Sequence, residues 1–174
     1  LINISFKGIY DHLGGGISRY TVDEQWIVPH FEKMLYDNIL FVRTLNNYLI
    51  NNKDEKLKSK LIQTINFINN EFINNKKLLG SAYDADSEGI EGKYYVWSNE
   101  EIKRLLGNDI DIFKKKYFVT EEGNFEGSNI LIEKDNFELN KNELEIVNNS
   151  EKKLLQERKN RVKPFFDDKS QTDL

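Results

Sequence analysis

Two apolar stripes of helical period, joined by a connection of only a few residues, constrain this chain most. Phe31, Leu35, Val42, Leu45 and Leu49 recur at helical spacing, supported by Met34, Phe41 and Tyr48. Pro29 stands where the first turn of a helix tolerates a missing N–H, so the first helix is read from Pro29 to about Asn51-Asn52. A second starts near Asp54, carries Leu57, Leu61, Ile65, Ile68 and Phe72 on one face, and stops near Asn74-Asn75. So short a connection makes the two helices antiparallel neighbours, an αα-hairpin.

The remaining segments are shorter. Leu1–Phe6 reads as a helix end entering a loop-rich stretch that runs to Val28. Tyr94-Tyr95-Val96-Trp97 has β propensity and is expected to pair with Leu79–Tyr83 across an acidic connecting loop, Asp84 to Gly92. Ser98-Asn99-Glu100-Glu101 has the form of a capping box, so a helix follows to about Leu106, where Gly107 ends it. Another short helix is read over Ile110–Tyr117, and a loop into a strand over Gly123–Leu131. A final charged helix runs from about Lys141 to Val162, with Leu144, Val147, Leu154 and Leu155 inward and Pro164 beyond its end.

The polar residues that periodicity does not explain are concentrated. Gly8-Ile9-Tyr10-Asp11-His12-Leu13-Gly14-Gly15-Gly16 holds one of the two histidines, and Val28-Pro29-His30-Phe31-Glu32 the other, with Arg19-Tyr20 between them. A polar cluster on glycine-flexible loops beside a helix start is how binding and catalytic sites are built. Imidazole is the side chain that exchanges protons near neutral pH, so His12 and His30 are acid–base candidates. The alternative is that each merely bonds within its loop. The three glycines have neither the Walker spacing nor the dinucleotide form, and are better read as letting a loop pack closely against a cleft.

Asp84-Ala85-Asp86-Ser87-Glu88-Gly89 looks like the first half of a calcium loop, but the twelfth position is Tyr95 rather than Glu. No metal is therefore assigned. The reading preferred is an acidic cleft wall flanked by Tyr83, Tyr94, Tyr95 and Trp97, since aromatics beside carboxylates suit a polar ligand. A solvated hairpin tip is the alternative. Without cysteine there is no disulfide framework, redox pair or thiolate zinc site. A net charge of -4 gives no nucleic-acid footprint. No apolar run reaches membrane-spanning length, so a cytoplasmic protein is expected.

Taken in order, these segments resemble the YyaL/spermatogenesis-associated protein 20 family. The resemblance is carried by Gly8–Gly16, Arg19-Tyr20, Trp26 with Pro29–Asp37, Asp84–Gly89 with Glu91-Gly92-Lys93, and Tyr95-Val96-Trp97. It continues in Gly123-Asn124, Gly127, Asn129-Ile130-Leu131, Arg161, Pro164 and Asp167-Asp168-Lys169. Lys7 stands where a second Gly is usual, and Ile17-Ser18 where Phe followed by His or Ala is more typical. The resemblance implies a thioredoxin-like domain followed by an (α/α)6 barrel similar to N-acylglucosamine 2-epimerases and six-hairpin glycosidases. Residues 1–174 would then be one partial α/α-barrel domain, mainly α with a short β-hairpin insertion, whose partners are a carbohydrate-like small molecule and the rest of its own polypeptide.

The function expected is acid–base chemistry in a carbohydrate-type cleft, either epimerisation or glycoside hydrolysis. His30 or His12 would move the proton, with Glu32, Asp84 and Asp86 as carboxylate partners. Arg19, Asp11 and Glu88 would bind polar groups of the substrate, and Tyr10, Tyr95 and Trp97 would stack on it. No cofactor is implied. The alternative is a non-catalytic ligand-binding module attached to a thioredoxin-like domain. The Asp11-His12 loop, the His30–Glu32 segment and the Asp84–Glu88 loop are expected to converge on one cleft.

Overall fold

The computed structural model describes residues 1–73 and 77–170. It is mainly helical, with short paired strands between the helices. Helix α1 (Ile2–Phe6) leads into the glycine-rich loop. Strand β1 (Tyr20–Thr21) pairs antiparallel with β2 (Pro29–His30), and β3 (Lys33–Met34) leads directly into α2 (Leu35–Asn51). Helix α3 (Glu55–Phe67) is capped by the Asp54 carboxylate, which accepts from the Leu57 N–H at 2.9 Å, and is prolonged by a π-turn over Ile68–Phe72. α2 and α3 pack as the hairpin read from their stripes, with Phe41, Leu45 and Leu57 buried between them and the loop residues Tyr10 and Ile17. The expected helix end at Asn74-Asn75 lies outside the described residues.

The start of α2 differs from the expectation. Pro29 and His30 are in a strand, not the first helical turn, and the helix begins at Leu35. Extended partners on either side take up the backbone groups of this segment. Thr21 and Tyr20 pair with Pro29 and His30, Arg19 N–H donates to Glu32 O at 2.9 Å, and Leu35 N–H donates to Ser81 O at 2.9 Å. A missing proline N–H is tolerated at a sheet edge as well as at a helix start.

The β segments are also rearranged. β4 (Ala82–Tyr83) pairs with β3 and with β7 (Phe166–Asp167), forming a small sheet that ties the start of α2 to the segment after the last helix. Tyr94–Trp97 does not join it: Trp97 forms an isolated bridge with Asn129. The acidic loop supplies its own hairpin instead, β5 (Asp86–Ser87) against β6 (Ile90–Glu91). Glu88 and Gly89 at the turn have φ of 55° and 74°, the positive values a two-residue hairpin turn demands.

Helices α4 (Asn99–Leu106) and α5 (Ile110–Lys116) pack on α6 (Lys141–Arg158). Ser98 caps α4 by accepting from the Glu101 N–H, and a capping box of Asn140 and Glu143 opens α6. Their shared core holds Trp97, Ile102, Phe113, Val147 and Leu154. Leu144 is exposed rather than inward, and α6 ends at Arg158, before Val162. Among the described residues no helix is long and apolar enough to cross a membrane.

Candidate functional site

Between α3, the end of α6 and the Tyr94-Tyr95 loop lies a cleft of about 330 Å³. Its floor is a buried trio: Asp11 from the glycine loop, Lys33 from β3 and Arg158 from the last turn of α6. Lys33 Nζ donates to Asp11 Oδ2 at 2.8 Å and to Gly15 O at 2.9 Å. Arg158 grips the same carboxylate with both terminal nitrogens, each at 2.9 Å. Asp11 also folds its own loop, accepting from the Leu13 and Gly14 N–H groups at 3.1 and 3.0 Å. Burial alone would raise the Asp11 carboxyl, but Arg158 and Lys33 hold it far below the usual carboxylate range. Burial lowers the Lys33 ammonium, against the pull of Asp11.

The glycines let this loop come close, as expected. A Cβ on Gly14 would stand 2.2 Å from Arg158 Nη2, and one on Gly16 would stand 2.4 Å from the Phe67 ring, with φ already at +80°.

The walls carry four aromatic residues, Phe67, Tyr83, Tyr94 and Tyr95, alongside Gln63, Asn66 and Asn70. Lys33 Nζ lies 4.4 Å from the Phe67 ring centre and 4.8 Å from that of Tyr95. Arg161 fixes the Tyr94-Tyr95 loop by donating to Tyr94 O and Val96 O at 2.9 and 2.8 Å and to Glu101 at 2.8 Å. At the rim, Glu71 accepts from Lys163 at 2.7 Å and from the Tyr83 hydroxyl at 3.4 Å.

Of the residues given a site role in the sequence, Asp11 and Tyr95 line this cleft, together with Gly14 of the glycine run and the flanking aromatics Tyr83 and Tyr94. Two of the expected stacking residues are placed elsewhere. Trp97 is fully buried in the core of α4–α6 with Arg161 over its ring, and Tyr10 is 1% exposed, its hydroxyl 3.2 Å from Thr64 Oγ1 and from Lys60 O. Neither ring has a free face for a ligand.

His12 is buried in a second polar network. Its Nε2 lies 3.1 Å from Lys7 O, which can only accept, so Nε2 carries the proton. Nδ1 lies 3.0 Å from Lys60 Nζ and 3.1 Å from Glu133, and Lys60 also donates to Glu133 at 2.6 Å. Burial, then the Lys60 charge, lowers the imidazole below its ordinary 6.5. The unfolded chain therefore binds a proton near pH 6.5 that the folded chain refuses. Stability is expected to be full at neutral pH and to fall as pH drops through about 6.5 toward the lowered value. Urea titrations between pH 7.5 and 5 check this: His12→Asn should flatten that part of the profile, and an unchanged slope would show that other groups cause it.

His30, Glu32 and Arg19 form a third cluster beside β1 and β2. His30 Nδ1 is 2.8 Å from Glu91, Nε2 is 3.8 Å from Glu32, and Glu32 accepts from Arg19 at 2.8 Å. Tyr20 stacks on the His30 ring at 5.0 Å. The acidic hairpin does meet the His30 segment, but through Glu91. Asp84 turns its carboxylate onto the Ala85 N–H at 2.7 Å, Asp86 is exposed, and Glu88 pairs with Lys93 at 2.9 Å. The loops expected to share one cleft are thus divided: Asp11 lies on the cleft floor and His12 in its own buried network, while His30 and Glu32 in the β1–β2 cluster meet the acidic hairpin through Glu91. Among the described residues no three acidic or histidine side chains gather closely enough to hold a metal ion.

Lys33, Arg158, Lys60 and Glu133 were not singled out, although two carried a signal. Arg158 continues the inward stripe of Val147 and Leu154, and Lys60 lies on the buried face of Leu57 and Thr64. A charged residue in phase with a buried stripe must find a partner.

No family model matches the chain. It is 31% identical to human spermatogenesis-associated protein 20 over 93% of its own length, and 32% identical to the rat protein of that name over the same share. An uncharacterized protein of Caenorhabditis elegans, B0495.5, is 36% identical over 58% of the chain. The chain spans 25% of the length of the human and rat relatives. The likeness read from its motifs is therefore shown: over nearly all of its residues it is a relative of spermatogenesis-associated protein 20.

Proposed function

We propose that this relative of spermatogenesis-associated protein 20 contributes a cleft for a carbohydrate-type small molecule, within a larger helical protein built as an (α/α)6 toroid. The observation that carries the reading is the cleft itself, in which tyrosine and phenylalanine walls stand over a buried, ionised floor. Flat rings beside charged hydrogen-bonding groups suit a ligand with apolar ring faces and polar edges. The toroid reading draws support from the α2–α3 hairpin, whose outer faces leave Leu40, Ile50 and Ile62 exposed where neighbouring hairpins would cover them.

Whether the cleft binds only, or also catalyses, turns on its carboxylates. Asp11 is saturated by Arg158, Lys33 and two backbone N–H groups, and Glu71 is tied to Lys163. That favours the binding module over epimerase- or glycosidase-like chemistry on this floor. Acid–base roles for His30 and Glu32 would be exercised in the β1–β2 cluster, where the imidazole lies between two carboxylates.

A calorimetric screen of the full-length protein against mono- and oligosaccharides tests the reading. We expect a sugar whose affinity drops at least tenfold in Tyr95→Ala, which removes a wall. For the catalytic version, which sits in the β1–β2 cluster, His30→Gln should cut turnover of a sugar converted there roughly a hundredfold with little change in Tm, whether or not Tyr95→Ala weakens its binding. Sugars that bind equally to wild type and Tyr95→Ala would place the site elsewhere.

A further inference from the structure

The floor of the cleft carries more positive charge than its partners balance. Lys33 and Arg158, 1% and 4% exposed, share the single carboxylate of Asp11. Charges removed from water are ordinarily paired one for one, because an unmatched buried ion loses its hydration with nothing in return. Asp11 has nothing left to give. Its two oxygens already accept five hydrogen bonds, from Leu13, Gly14, Lys33 and both Arg158 terminal nitrogens. A carboxylate offers about four lone-pair positions.

The donors, by contrast, are not exhausted. Lys33 directs two of its three N–H groups to Asp11 and Gly15. Arg158 Nε is buried and has no acceptor. The ring faces of Phe67, Tyr94 and Tyr95 lie 4.4 to 5.5 Å from these cations and offset part of the excess. Rings do not supply the missing acceptor. Lys159 and Lys163 at the rim add to the positive field, with Glu71 opposing it.

We infer that the ligand of this cleft carries an anionic group, a carboxylate or phosphate, which seats against Lys33 and Arg158 and completes a buried two-cation, two-anion arrangement. This rests on the reading of the cleft as a ligand site and narrows it from carbohydrates in general to acidic ones such as sugar acids or sugar phosphates. Selection is by charge: the hydroxyls of a neutral sugar can accept from the donors but leave the excess cation unmatched.

The test uses the full-length protein and three probes at matched ionic strength: inorganic phosphate, glucuronate and glucose. Calorimetry should show phosphate and glucuronate competing for one site, with glucose at least tenfold weaker. Lys33→Met leaves Asp11 and Arg158 paired one to one, so it should fold and lose at least tenfold in affinity for both anions. Arg158→Gln leaves Lys33 and Asp11 paired and repeats the test from the other side, should the first variant not fold. Glucose binding as tightly as glucuronate, with neither changed by Lys33→Met, would overturn the anionic ligand and leave the cleft reading standing. Phosphate binding that survives both variants would mean an ion held elsewhere and would also overturn it. Failure of all three probes to bind would overturn the anionic ligand and the cleft reading together.

Discussion

Replacing Asp11 with Ala is expected to lower the unfolding free energy by about 3–5 kcal/mol, the usual cost of stranding a buried charge. Here two cations would be stranded, since Lys33 and Arg158 both depend on this carboxylate. The loop would suffer too, because the Leu13 and Gly14 N–H groups would lose their acceptor. Asp11→Asn keeps the volume and loses the charge, so it should recover only a small part. Adding Lys33→Met to Asp11→Ala removes one of the two stranded cations and should recover more. Urea unfolding of the three variants distinguishes these cases. A loss under about 1 kcal/mol for Asp11→Ala would show that the cations reach water and that the floor is not a buried charge site. The same carboxylate sets an acid limit. Its pKa lies far below the ordinary value in the fold, so its contribution is present above about pH 4 and declines as pH falls below that.

The helical half of this architecture is legible in the sequence because periodicity is a local property. The stripes of α2 and α3, the Asp54 and Ser98 caps and the inward Val147 and Leu154 of α6 need only their neighbours to be read. The strands are another matter. Pro29-His30 and Ala82-Tyr83 are two-residue segments whose state is decided by partners outside the local window, Tyr20-Thr21 across a loop for one and the distant Phe166-Asp167 for the other. A proline that fits a helix start equally fits an edge strand, and only the pairing chooses between them.

The site was half legible for a related reason. Composition and turn chemistry draw attention to polar residues in loops, and Asp11 and Tyr95 were found that way. They do not say which neighbours meet. The glycine loop separates from the other two because His12 finds Lys60 and Glu133, while His30 and the acidic hairpin meet through Glu91 and leave Glu88 to Lys93. The residues that complete the cleft, Lys33 and Arg158, sit in regular elements, where a charge reads as a solvated face unless its phase against the buried stripe is checked.

Trp97 shows the converse error, a residue that looks like a ligand platform and is core. Its indole is fully buried among Ile102, Leu105, Val147 and Leu154, so Trp97→Ala is expected to cost about 3–5 kcal/mol through the cavity it leaves. Two details sharpen this. The Arg161 guanidinium lies 3.9 Å from the ring centre, so truncation also removes the surface on which the clamp of the Tyr94-Tyr95 loop rests. The indole Nε1 has no hydrogen-bond partner, so Trp97→Phe gives up volume and no polar bond. Phe should therefore cost clearly less than Ala, in the range of a partial cavity. Urea midpoints for the two variants decide the point. If Trp97→Ala unfolds at the wild-type midpoint, the ring is not a core element and its place as a ligand-stacking residue returns. If both variants are equally damaged, the indole N–H contributes a bond that its buried, unpartnered position denies.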